Sequence, residues 1–354
     1  MSLNLDAQTF RDLLGDPALA ETISAASGCP LVTVPVSDAS EGRWLDGLDI
    51  TAVPAVVLVV APDPAWLPAD AANAADVLLT EDVTAPAPFV APAEGLDAAV
   101  EQLDARLAVN PVAGTALALQ LRASAGLSVP AGVIAESATY SALQEGAEFR
   151  RWRASRPARE PEPETRRVIV EKSPGELRIT LARPARRNAV DWRMRDALAE
   201  ALVAAVAAPD MRVLLRGDGP DFCAGGDLDE FGSRPDPALA HLVRLTRSPA
   251  MLMHRLADRT TVFLHGACLG AGIELPAFAG CVRATAGARI GLPEIGLGLM
   301  PGAGGTVSLP RRVGRWRTAF LGLSGATITA ERALQWGLID AIDDQPADAG
   351  PTPL

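Results

Sequence analysis

The sequence has 354 residues, of which 49% are hydrophobic, and a formal net charge of −11. At about 100–200 residues per domain, this length corresponds to two domains or to one large domain with an extension, and the hydrophobic share excludes wholesale disorder. The acidic balance argues against nucleic acid or an anionic membrane as a partner, because both require a basic face. Lys172 is the only lysine and Tyr140 the only tyrosine. Chemistry that needs a phosphate-loop or Schiff-base lysine is therefore disfavoured, and we expect carboxylates to carry out proton transfer.

The cysteines and the amino terminus bear on the cellular compartment. The four cysteines form no CxxC pair and no metal-ligand pattern, so we expect reduced, buried thiols and no metal site. The amino terminus lacks the basic and apolar segments of a signal peptide. No uncharged apolar run reaches about 18 residues, so we expect no membrane-spanning segment. These features predict a cytoplasmic protein.

Residues 1–95 alternate short apolar runs with turns. Strands are expected at 30–36, 55–60 and 76–80, separated by loops rich in Pro, Asp and Ala. The pattern predicts a small α/β region, and nothing in it indicates a chemical role.

Residues 96–154 change to a helical pattern. Apolar side chains recur at intervals of four and three, which predicts an amphipathic helix that ends before Pro111; they are Leu96, Val100, Leu103 and Leu107. Two further helical stretches are expected around 113–125 and 133–152. Three prolines among charged residues then predict an exposed linker over 155–165.

Residues 166–342 form the predicted catalytic region. A hairpin is expected around 173–175, and a helix is expected to begin near Asp191 as its N-cap. Further strands are predicted at 212–216 and 261–264. The repeated order of strands and helices predicts an α/β fold with functional loops at the strand ends.

Three glycine-rich segments carry the candidate chemistry: 222–228, 265–275 and 291–306. Small residues after a strand let a ligand approach backbone N–H groups closely, and two such segments can form an oxyanion hole with two donors. Glu274 lies in the second segment and Glu294 in the third, and paired carboxylates suit proton transfer. Taken singly, each segment is better explained by tight packing, and the glycine spacing is not a dinucleotide-binding pattern.

Together and in this order, the three segments resemble the crotonase (enoyl-CoA hydratase/isomerase) superfamily over about residues 166–342. The loop at 183–190, with its RPxxxNA pattern, adds to the resemblance. The resemblance implies a spiral core of ββα units and an acyl-CoA substrate. It also implies that no cofactor is needed beyond the coenzyme A of the substrate, and that the protein is a homo-oligomer, a trimer or a multiple of trimers.

The resemblance also implies roles for individual residues. The backbone N–H groups of Gly226 and Ala271 match the oxyanion hole that holds the thioester oxygen. Glu274 and Glu294 match the two glutamates of hydratases, which add water across the 2,3-double bond. Which of the two is the acid and which the base stays open, because coupled carboxylates titrate together. The remaining candidates for substrate binding are Ala224, Arg183, Arg187 and Asp227, the arginines through the CoA phosphates.

Structural roles are the alternatives for several of these residues. His265 is expected to cap a strand end rather than act as a base, Asp227 to cap the following turn, and the arginines to be solvated. The glutamate pair favours hydration over other crotonase reactions on an acyl-CoA, such as isomerisation, hydrolysis or decarboxylation. A non-catalytic protein that kept the fold is the third hypothesis.

Members of the superfamily continue for several helices beyond the segment that matches 333–340, whereas here a polar tail follows at 343–354. We therefore hypothesise a circular permutation, in which residues 96–154 supply those helices from the amino-terminal side. An unrelated helical domain is the alternative.

Overall fold

Helices and mostly parallel strands alternate along the chain in the computed structural model, which describes residues 2–157, 165–233 and 236–343. The predicted α/β class is thereby confirmed. Most of the predicted linker at 155–165 and nearly all of the tail at 343–354 lie outside the described residues. None of the described helices is long and apolar enough to cross a membrane.

The amino-terminal region is a five-stranded parallel sheet whose strands follow one another in chain order. Its strands are β1 (Leu3–Asn4), β2 (Leu31–Pro35), β3 (Val56–Val60), β4 (Val77–Leu79) and β5 (Phe89–Val90), and its helices are α1 (Ala7–Leu14), α2 (Leu19–Thr22) and α3 (Ala39–Gly42). The three predicted strands are confirmed as β2, β3 and β4. Alternate residues of β3 face different cores: Val57 packs with Phe10 of α1, whereas Leu58 belongs to the main core of the molecule.

Four helices follow: α4 (Leu96–Val109), α5 (Pro111–Ala123), α6 (Val129–Gln144) and α7 (Ala147–Ala154). The prediction of one helix over 133–152 is wrong, because extended backbone at Gly146 (φ −71°, ψ 153°) separates α6 from α7. Apolar residues continue on both sides of this break, so hydrophobic periodicity alone did not show it.

The second half of the chain contains a six-stranded and a three-stranded sheet. Its strands are β6 (Val168–Ser173), β7 (Glu176–Leu181), β8 (Arg212–Gly217), β9 (Thr260–Leu264), β10 (Ala267–Leu269), β11 (Cys281–Ala284), β12 (Arg289–Gly291), β13 (Thr327–Thr329) and β14 (Ala341–Ile342). Its helices are α8 (Trp192–Val206), α9 (Pro237–Thr246), α10 (Pro249–Arg255), α11 (Ala271–Glu274), α12 (Gly305–Ser324) and α13 (Ala330–Trp336). The strand order is β14-β11-β9-β8-β7-β6 in the larger sheet and β10-β12-β13 in the smaller. The predicted hairpin (β6–β7) and the N-cap at Asp191, which accepts a hydrogen bond from Met194 N at 2.7 Å, are both confirmed.

The helical segment α4–α7 shares one hydrophobic core with the second half of the chain. Glycines allow α5 and α12 to approach closely. A Cβ atom at Gly322 of α12 would lie 2.5 Å from Leu117 Cδ2 of α5, and one at Gly114 would lie 3.5 Å from Leu323 Cδ2. This contact holds the helical segment against α12, whose first turn adjoins the third glycine-rich segment.

Arginine side chains connect the amino-terminal sheet to the rest of the molecule. Arg122 of α5 forms a buried ion pair with Asp76 and donates to the carbonyl oxygens of Ile50 and Ala55 at 2.7 Å each. Arg317 of α12 donates to Phe89 O at 3.1 Å. Because arginine has five donors in a planar fork, one side chain can satisfy several carbonyl groups at such a junction.

Candidate active site

The three glycine-rich segments lie side by side in the structure. Cys223 N donates to Ala267 O at 3.0 Å, which places the first segment along β10. Strand β10 pairs in parallel with β12, and Gly270 N donates to Gly291 O at 3.0 Å, which joins the second segment to the third. The first and third segments, which are separated by 62 residues in the chain, therefore share one cavity with the second.

That cavity has a volume of about 270 Å³. Its wall includes five residues of the predicted site, which are Gly226, Asp227, Ala271, Glu274 and Glu294. It also includes Glu136 and Tyr140 of α6 and Arg244 of α9. The helical segment therefore forms part of the cavity wall.

The predicted oxyanion hole has two unused donors. Neither Gly226 N nor Ala271 N donates to an acceptor among the residues that the structure describes. Ala271 has a negative φ, so its methyl group causes no backbone strain. At Gly226 an added Cβ would lie 2.5 Å from Phe231 Cε1, so a larger residue would displace the Phe231 ring.

Glu274 is a buried carboxyl group that receives two backbone hydrogen bonds. Its Oε2 atom accepts from Ala303 N at 2.8 Å and from Gly305 N at 2.9 Å, at the turn that leads into α12. Burial raises the pKa of Glu274 to about 7, and the two hydrogen bonds oppose that rise. The group can therefore lose and regain a proton near neutral pH.

Glu294 has a different environment. Its Oε2 atom is buried and has no hydrogen-bond partner among the described residues. Burial, followed by the charge of Glu274, raises the pKa of Glu294 well above its ordinary value, which favours the protonated form of the carboxyl group. Gly270 makes room for it, because a Cβ at this position (φ 51°) would lie 2.3 Å from Glu294 Oε1.

Sequence reasoning missed a third buried carboxyl group, that of Glu136 on α6. It accepts hydrogen bonds from Gly304 N at 2.6 Å and from Thr306 N and Oγ1 at 2.8 Å each, on the same turn that holds Glu274. Burial, and then the charge of Glu274, raises the pKa of Glu136 to about 8. A signal was present, since Glu136 is the only charged residue in the 16 residues of α6.

The Arg183 side chain is held inside the protein. It is 5% exposed and forms an ion pair with Asp227 at 2.6 Å, and it also donates to Ala189 O at 2.9 Å. Its contact with a CoA phosphate stays a prediction, and its low exposure does not fit the alternative of a solvated arginine. Asp227 lines the cavity, but its carboxylate is committed to Arg183.

The other predicted residues lie beside the cavity rather than in its wall. Arg187 is 56% exposed and pairs with Asp221 at 2.7 Å, so its proposed contact with CoA stays a prediction. Ala224 N donates to Arg187 O at 2.9 Å. His265 Nε2 lies 3.0 Å from Gly219 O, as expected for a residue that caps a strand end. No group of three or more potential metal ligands is found among the described residues.

Comparison with known proteins places this geometry in context. A family model for enoyl-CoA hydratase/isomerase matches residues 171–348. The chain is 37% identical over 177 residues to a 2,3-dehydroadipyl-CoA hydratase from Escherichia coli (strain K12), which is 49% of this chain and 68% of the relative. It is 36% identical over 184 residues to a 1,2-epoxyphenylacetyl-CoA isomerase from the same organism, covering 50% of this chain and 69% of the relative.

A solved enoyl-CoA hydratase structure from Thermoplasma volcanium GSS1 is 33% identical, with a TM-score of 0.46 over 52% of this chain and 74% of that one. Across the curated relatives compared, the matched region spans 64 to 69% of the relative's length.

Proposed function

The chain belongs to the enoyl-CoA hydratase/isomerase family, that is, to the crotonase superfamily, and we propose that it is an enoyl-CoA hydratase. The observation that carries this proposal is the difference between two glutamates in one cavity. Glu274 accepts hydrogen bonds from two backbone N–H groups, which favour its carboxylate form, whereas the buried Oε2 atom of Glu294 has no hydrogen-bond partner among the described residues. Hydration needs one base and one acid, and this pair supplies both.

We assign the base to Glu274 and the acid to Glu294. Glu274 takes a proton from water as the water oxygen forms its bond to C3 of the enoyl thioester. The electron pair of the double bond moves to the thioester oxygen, where the N–H groups of Gly226 and Ala271 stabilise the charge, by roughly 3–4 kcal/mol per donor in comparable sites. Glu294 then gives its proton to C2, and proton exchange between the glutamates restores the starting state.

The alternative is another crotonase reaction, and the relatives include a named isomerase as well as a named hydratase. An isomerase moves a proton between two carbons and needs no attacking water. The presence of a second, separately held carboxyl group supports hydration over a single-base reaction.

A spectroscopic assay tests the proposal. The protein is mixed with 2-enoyl-CoA thioesters of several chain lengths, and the ultraviolet absorbance of the conjugated thioester is followed. We expect the absorbance to fall, and we expect Glu274→Gln and Glu294→Gln each to lower kcat by about 10²–10⁴-fold while binding of a saturated acyl-CoA is retained. If none of the thioesters is consumed, the hydratase proposal is wrong.

A further inference from the structure

One of three arginines in the cavity wall has no acidic partner. Arg195 pairs with Asp196 at 2.6 Å, and Arg247 pairs with Asp196 at 3.3 Å and with Glu200 at 3.2 Å. For Arg244, no carboxylate oxygen lies within 4.0 Å in the described parts of the chain. Arg244 is therefore the only one of these three guanidinium groups whose charge is not neutralised by a direct ion pair.

Helix α6 holds the Arg244 side chain in a fixed orientation. Its Nε atom donates to Ser137 Oγ and its Nη2 atom to Ser137 O, each at 3.0 Å, and Nη2 also donates to Ser141 Oγ. The guanidinium carbon lies 5.0 Å from the centroid of the Tyr140 ring. Nη1 makes no hydrogen bond to any described residue. Its two N–H groups, on a guanidinium that is already oriented, therefore remain available as donors in the cavity wall.

A partly buried guanidinium without a counter-ion is unfavourable, because burial removes water that would otherwise solvate the charge. Burial also lowers the pKa of Arg244 from its ordinary value, although arginine stays charged at neutral pH. The neighbouring acids are engaged elsewhere: Glu136 accepts from the turn at 304–306, and Glu230 accepts from Trp192 N at 2.7 Å. An anion from outside the chain would complete this site.

The position of Tyr140 indicates which part of the substrate would carry that anion. The Tyr140 ring contacts Arg244 on one side, and it also adjoins Gly302, where an added Cβ would lie 2.4 Å from Tyr140 Cδ2. Gly302 immediately precedes the turn whose N–H groups hold Glu274. The Tyr140 ring thus links Arg244 to the segment that holds Glu274 within one cavity wall, so an acyl chain bound beside Glu274 would extend toward Arg244.

We propose that Arg244 binds a carboxylate on the acyl chain of the substrate, so that the cavity selects 2-enoyl-CoA thioesters with an anionic tail. The inference rests on the proposed hydratase function and adds the substrate class to it. The free Nη1 group would donate to the carboxylate in a charge-assisted hydrogen bond, while Nε and Nη2 keep their hydrogen bonds to α6.

The test compares three six-carbon 2-enoyl-CoA substrates that differ only at the end of the chain: one with a terminal carboxylate, one with its methyl ester and one with a terminal methyl group. For the unmodified protein we expect kcat/KM to be about 10- to 100-fold higher for the carboxylate, as for a charged hydrogen-bonded pair. Equal or higher kcat/KM for the neutral substrates would overturn the role of Arg244 and leave the hydratase proposal intact. If none of the three substrates is hydrated, the hydratase proposal itself is wrong.

Variants assign the preference to one residue. Arg244→Met is expected to remove the preference for the carboxylate, whereas Arg247→Met, which deletes a paired arginine from the same wall, is expected to retain it. If Arg244→Met lowers kcat/KM equally for all three substrates, Arg244 binds a group that they share and the inference is wrong. Arg244→Lys keeps a positive charge and is expected to retain part of the preference, which provides a second variant should the methionine variant fold poorly.

Discussion

At the scale of single residues, backbone hydrogen-bond donors give two glutamate side chains of the candidate site different environments. Glu274 and Glu294 are both buried, yet the former accepts hydrogen bonds from two N–H groups and the latter has an oxygen without a partner. Hydrogen bonds to a carboxylate favour its charged form, and burial without them favours its neutral form. In the proposed hydration, the same residue type would thus provide the base and the acid within one cavity.

The pH dependence of the rate follows from this arrangement. The proposed hydration requires ionised Glu274, whose pKa is raised from 4.5 to about 7. We therefore expect kcat/KM to rise with pH and to reach half of its maximum near pH 7, and to fall again at alkaline pH as Glu294 loses its proton. A pH profile of kcat/KM measures this. A half-maximal point near the ordinary glutamate value would contradict the assignment of Glu274 as the base.

The raised pKa of Glu294 also predicts an effect on stability. A carboxyl group whose folded-state pKa lies above its unfolded value stabilises the fold at low pH and ceases to do so as the pH rises through the folded value. Glu294→Gln removes this dependence. We expect the variant to have a higher Tm than the unmodified protein at mildly alkaline pH. Near pH 5, close to the pKa of glutamate in an unfolded chain, we expect no such difference. Thermal unfolding at both pH values tests this, and an equal change in Tm at both would argue against a buried, protonated Glu294.

At the scale of elements, the turn at 303–306 is where the helical segment meets the candidate active site. Alternate N–H groups of this turn donate to two different glutamates: those of Ala303 and Gly305 to Glu274, and those of Gly304 and Thr306 to Glu136 of α6. The position of the base thus depends on a residue that lies 138 positions earlier in the chain. This link explains why α6 forms a wall of the cavity rather than a separate layer.

Removal of the Glu136 carboxyl group tests that link. Glu136→Ala leaves buried N–H groups of the turn without acceptors, at about 1–3 kcal/mol each. We expect a lower Tm and a lower kcat, since the turn that holds Glu274 loses its support. Glu145→Ala is the matched control, because Glu145 is exposed on the same helical segment and its one ion pair with a described residue is that with Arg150 at 3.7 Å. An unchanged kcat in Glu136→Ala would show that α6 does not position the base.

The sequence predicted the parts of this arrangement that depend on local pattern. The hairpin, the N-cap at Asp191 and the strands β2 to β4 follow from apolar runs and turn residues. The break at Gly146, the burial of Arg183 and the contribution of Glu136 depend on contacts between distant segments, and local periodicity does not encode them. Likewise, the sequence does not show that Arg195 and Arg247 form ion pairs and that Arg244 forms none with the described residues, because these contacts depend on the fold.

At the scale of the whole molecule, one hydrophobic core joins α4–α7 to the second half of the chain, and arginines tie the amino-terminal sheet to both. The abundance of arginine and the near absence of lysine are consistent with this use. The planar guanidinium group of arginine can donate to several carbonyl oxygens at once, whereas the ammonium group of lysine is a compact point charge. The hypothesis of a circular permutation requires that the helical segment cover the cavity, and it stays a prediction.

A truncated chain tests the dependence of the fold on the first half. A fragment that begins at Val168 lacks α4–α7 and exposes the apolar face of α12, so we expect it to be poorly folded and inactive. Circular dichroism and the hydration assay measure both properties. A stable and fully active fragment would contradict the permutation hypothesis and any role for α6 in the site.

The most direct test of the central claim is hydration of a 2-enoyl-CoA in water enriched in oxygen-18, with the product analysed by mass spectrometry. We expect a 3-hydroxyacyl-CoA that carries the label on C3, and almost none of it with Glu274→Gln or Glu294→Gln. A shifted double bond without label would indicate an isomerase, and label in a released carboxylic acid would indicate a thioester hydrolase. Either result would contradict the assignment of this glutamate pair to the addition of water.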